Sequence, residues 1–141
     1  MTAWWPRAVS DLRARWSQSD ELRKSTEAFL TNWAWYFRGG LPDLGYPHHA
    51  NFVKSPSKCP PAVNVQDAEE AEEVFVLWRL MTDGDPDQDY LLHLQRLLRM
   101  HYLSPTSVTR KAKVAGVGRQ KYYRLVREGL FRFWALHQLD S

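Results

Sequence analysis

The stretch from residue 39 to residue 64 limits this chain more than any other. It holds five prolines (42, 47, 56, 60 and 61) and three glycines (39, 40 and 45). Proline removes a backbone donor and collides with the preceding helical turn, so no regular helix runs through such a segment. It is also longer than an ordinary connection between elements. We read it as a long irregular insertion that is either a functional loop or a strap packed across neighbouring helices.

On both sides the hydrophobic spacing is helical. "SDELRKSTEAFLTNWAWYFRGG" offers Ser19 as a cap, acids in its first turn and Gly39-Gly40 as a stop. Leu22, Ala28, Phe29, Trp33, Tyr36 and Phe37 form its stripe. An earlier short helix around Arg7–Trp16 is allowed. After the insertion, Asn64 caps a helix whose apolar face is Ala68, Ala71, Val74, Phe75, Trp78 and Met81. Glu69, Glu70, Glu72 and Glu73 are expected on its outer face. Asp85 and Pro86 are expected to cap and open the next helix, with Tyr90, Leu91, Leu94, Leu97, Leu98 and His101 recurring at three and four. Two more helices follow, about 106–114 and 119–138. The expected class is all-α, about five helices with a long proline-rich loop, divided into a body over 1–104 and a C-terminal unit over 105–141.

Charge is distributed unevenly. Residues 39–98 carry 4 basic and 10 acidic side chains, whereas residues 99–141 carry 9 basic and 2 acidic. A tail that basic suggests a polyanionic partner. The start of the chain has no signal-peptide pattern, and no run approaches the roughly 20 apolar residues a membrane helix needs. With one cysteine, Cys59, the expectation is a soluble protein of a reducing cytoplasm, with no membrane partner.

The segment "TRKAKVAGVGRQKYYRLVREGLFRF" carries the most specific signal. Its "GVGRQK" lacks the third glycine of a dinucleotide fingerprint and no strand precedes it. A helix-turn-helix fits instead. Gly116 supplies the turn, Val117 drops between the helices, and Tyr122, Leu125, Val126, Gly129, Leu130, Phe133 and Leu136 form an inner face. Arg119, Gln120, Lys121, Arg124 and Arg127 then lie on the outer face, with Arg110, Lys111 and Lys113 on the preceding helix. Arginine and glutamine read base edges, lysine mostly holds phosphates, and the start of such a helix enters the major groove. These eight residues are the expected contacts to double-stranded DNA. A basic amphipathic helix can also be no more than a solvated face.

The segment 106–136, with Ala112, Gly116, Val117, Tyr122 and Val126, resembles region 4 of sigma factors. "TNWAWYFRGGLPDLGYP", the proline-rich stretch, "DAEEAEEVFVLWRL" and this C-terminal unit together resemble phage late-gene antitermination proteins of the Q type, over about residues 29–136. Lys111, Gly118 and Gly129 depart from the sigma-like pattern, which usually has an apolar residue, a serine cap and an alanine there. The resemblance implies DNA binding near a late promoter and loading onto paused bacterial RNA polymerase with sigma factor present. Read-through of pauses and terminators in the bacterial host cytoplasm would follow, without catalysis or cofactor. A regulator of initiation and a small inhibitor of a host protein are the alternatives.

His48, His49, Cys59 and Asp43 match no zinc module, and Ser55 and Ser57 have no evident triad partners, so no metal and no catalytic set is expected. Trp35 looks away from the stripe of its helix. It is expected either beneath the proline-rich segment or exposed as an anchor for a protein partner.

Overall fold

The computed structural model describes residues 4–39 and 63–140, and these form six helices with no strand among the described residues. The all-α class holds, with one helix more than expected. In order they are α1 (Trp4–Ser17), α2 (Asp20–Gly39), α3 (Val65–Thr82), α4 (Gln88–Leu103), α5 (Val108–Ala115) and α6 (Arg119–Asp140). The proline-rich stretch, with His48, His49, Cys59, Asp43, Ser55 and Ser57, lies outside the described residues. No described helix is long and apolar enough to cross a membrane.

Each helix ends where its chemistry dictates. Asn64 caps α3 as expected, its side-chain oxygen accepting from the Asp67 amide at 2.9 Å. Its own backbone is bonded twice to the Asn32 side-chain amide, at 2.9 and 2.8 Å, which pins the start of α3 to α2. The expected start of α4 is corrected: Asp85 and Pro86 belong to the turn before it. The Asp85 carboxylate accepts from the Asp87 amide at 2.8 Å and its carbonyl from Gln88, so the helix proper begins at Gln88.

The core is built around α6. One face of α6 (Tyr122, Val126, Leu130, Phe133, Leu136) joins Leu30, Trp33 and Ala34 of α2, Val74, Phe75 and Trp78 of α3, and Leu94, Leu97 and Leu98 of α4. Its other face (Phe131, Trp134, Ala135) closes a second cluster with Leu12 of α1, edged by Trp16 and Leu22. The core therefore runs continuously across residue 104. Two indoles satisfy their N–H groups at its edge, Trp33 on Glu72 Oε1 and Trp78 on the Leu91 carbonyl, both at 3.1 Å. Buried polar groups left without partners are costly, and these two indole N–H groups are paired.

Some facial assignments change. Ala28 of α2 is exposed, and Leu30 and Ala34 take the buried places. Tyr90 is 44 % exposed. Glu72 turns inward enough to pair with Arg99 at 3.3 Å, and Glu70 meets His137 of α6. Glu69, Glu70 and Glu73 keep to the exposed outer face as expected, Glu70 while paired with His137.

Candidate nucleic-acid interface

The short helix α5 is fixed at both ends. Ser107 Oγ accepts from the Arg110 amide at 3.2 Å. At the other end Gly116 has φ +76°, its amide donates to the Lys113 carbonyl at 3.0 Å, and the Val117 amide reaches back to the Ala112 carbonyl at 3.1 Å. This doubly bonded glycine stop is the Schellman arrangement. It points Val117 inward against the core, as expected, and α6 starts at Arg119.

The inner side of the α5–α6 pair is locked to α4. His101 Nδ1 pairs with the Tyr122 hydroxyl at 2.9 Å, and Lys111 Nζ donates to the His101 carbonyl at 2.8 Å. Burial, and then the Lys111 cation, lower the His101 pKa to about 4. Burial, and then Tyr123, push the Tyr122 phenol up to about 12. Both rings are therefore neutral at pH 7 and hold one hydrogen bond between α4 and α6.

Lys111 is the correction among the expected DNA contacts. Only 7 % exposed, it runs its methylene stem through the core edge and spends its ammonium on a backbone carbonyl. It occupies an apolar place in the helix pair, which is why its charge does not reach the surface. The other seven residues are exposed: Arg110 and Lys113 on α5, and Arg119, Gln120, Lys121, Arg124 and Arg127 on α6. None of the six cations makes an ion pair among the described residues. No acidic residue occurs between residues 90 and 127 to neutralise them. The amino-terminal end of α6 adds the positive pole of its backbone dipole.

Tyr123 belongs to this surface and escaped the sequence analysis. It is 39 % exposed, and helical spacing surrounds it with Arg119, Gln120 and Arg127. Val114, 72 % exposed at the end of α5, is a second apolar group there. Both positions follow from the helical spacing, which sets Tyr123 one step round from Tyr122 of the inner stripe. The surface can hold phosphates through its cations and touch base edges or thymine methyls through Gln120, Tyr123 and Val114.

Elsewhere, Trp35 is half-buried and engaged in contacts of its own. No group of three or more metal-ligating side chains occurs among the described residues. His93 and His101 lie two turns apart on α4, and His101 is committed to Tyr122. No protein-family model, curated protein or solved structure matches the chain.

Proposed function

We propose that the chain is a DNA-binding transcription factor of the antitermination class. In this reading α5 and α6 form a helix-turn-helix whose second helix lies in the major groove. Arg119, Gln120, Lys121, Arg124 and Arg127 face the duplex, with Arg110 and Lys113 on flanking phosphates. The observation that carries DNA binding is the set of six exposed cations, without ion pairs among the described residues, on a helix pair whose inner side is tied to the core. Isolated surface cations are common, but a one-signed field over two consecutive helix starts attracts a polyanion.

The antitermination role is supported by the likeness to Q-type proteins. The chain would bind an element near a late promoter, load onto paused bacterial RNA polymerase while sigma factor is present, and carry it through terminators. Trp35 and the acidic outer residues of α3 are the surfaces offered to polymerase. The protein performs no bond chemistry itself, and it works in the cytoplasm of a bacterial host.

The paired variant Arg119→Ala, Lys121→Ala is expected to abolish element-specific binding with its helical circular dichroism intact. Lys111→Met is expected to bind like the wild type, because that charge is not on the surface. Binding should weaken steeply with salt as counterions are released. Full retention of binding by the double variant would discard the site. In transcription with purified polymerase, read-through that depends on promoter-proximal DNA supports antitermination. A change in initiation alone would make the protein an initiation regulator, and no effect on either would favour a protein-binding inhibitor.

A further inference from the structure

Beside the duplex-facing surface runs an open groove of about 410 Å³ between α1, α4 and α6. Its floor holds Glu128, whose carboxylate would ordinarily repel an anion. Here it is consumed internally: Arg13 grips it with both terminal nitrogens, at 3.1 and 2.8 Å, and Arg132 Nε donates at 2.8 Å. Burial pushes the acid's pKa up, but these hydrogen bonds outweigh it, so the group stays ionised at neutral pH. The rim is cationic, formed by Lys121, Arg124 and Arg127. Four cations therefore face one carboxylate that is already engaged.

The walls are not polar. Leu125, Trp16 and Phe131 line it, together with Tyr90. The Arg13 guanidinium covers the Phe131 ring at 4.2 Å, and Trp16 packs on Phe131 and Trp134. Tyr90 is left as the ring with open surface, 44 % exposed. A bare phosphate fills little of such a space. A phosphate carrying a planar base uses both the cationic rim and the aromatic wall, the combination by which single strands are held.

Resting on the DNA-binding reading above, we propose that this groove takes single-stranded DNA continuous with the duplex on α6. Lys121, Arg124 and Arg127 are shared by both surfaces, so a strand leaving the duplex passes directly over them. Tyr90 is the platform on which a base of that strand stacks.

The test is fluorescence anisotropy of the full chain with a blunt duplex, the same duplex bearing an oligothymidine overhang, and oligothymidine alone. The overhang is expected to tighten binding about tenfold, as one well-stacked base does. Tyr90→Ala should erase that gain, Tyr90→Phe should keep it, and neither should change blunt-duplex binding. An overhang without effect, or a gain that survives Tyr90→Ala, overturns the proposal and leaves the duplex reading standing. Polyglutamate competing as well as oligothymidine also overturns it and marks a docking face for an acidic protein. Tyr90-dependent binding of oligothymidine with no binding of the blunt duplex keeps the groove and removes the duplex reading.

Discussion

His101 shows how one side chain couples the contact between α4 and the α5–α6 pair to acidity. Its ring is flanked by the Lys111 ammonium, the Tyr122 hydroxyl and the edge of Tyr102. Burial and that cation keep it neutral, so its folded pKa, about 4, lies below the ordinary imidazole value of 6.5. A group depressed in this way supports the fold fully above its unfolded pKa, and the support is lost as pH falls. The thermal midpoint is therefore expected to drop as pH is lowered from 6.5 toward 4, and His101→Gln should flatten that slope. An equal slope in the variant would assign the acid sensitivity elsewhere. None of this was legible in the sequence, where His101 counted as one more position in a helical stripe. Lys111 was misplaced for a related reason. Composition counts a lysine as surface charge, and only the carbonyl it meets across the fold shows that it points inward.

At the scale of elements, spacing and end signals were legible where the deciding chemistry is local. The Asn64 cap, the Gly116 turn and the inner face of α6 all appeared as expected. The full extent of α1 and the burial of Phe131, Trp134 and Ala135 did not, because α6 is covered from two sides and a single stripe describes only one. Two glycines in the C-terminal pair make opposite predictions. Gly116 sits at φ +76°, where a Cβ is strained whatever the space, and Gly116→Ala should cost about 1–2 kcal/mol. Gly129 is helical and buried against α4, yet a Cβ there would meet Leu98 Cβ at an ordinary 3.5 Å. Gly129→Ala should therefore stabilise by up to about 1 kcal/mol through helix propensity. Urea denaturation of the two variants decides both, and the reverse ordering would refute the turn assignment.

The molecule as a whole does not divide where charge and motif divide it. The basic C-terminal unit of residues 105–141 carries only part of a core whose larger part lies on α2, α3 and α4. An isolated 105–141 peptide is expected to show little cooperative unfolding in a thermal melt followed by circular dichroism. A sharp two-state melt would establish it as an independent unit. Sequence patterning could not reveal this, because periodicity reports which side of a helix is apolar and not which partner covers it.

One consequence follows from the continuity of α6. The turns that face outward and the turns sealed inside the core belong to a single rod of 22 residues, with no proline and no break between them. Such a rod has no joint. Whatever lies along its exposed end is held at a set angle to α3 on the far side, as a carpenter's bracket holds a shelf to a wall. The fold thus sets the orientation of that exposed end relative to α3 with no hinge inside α6.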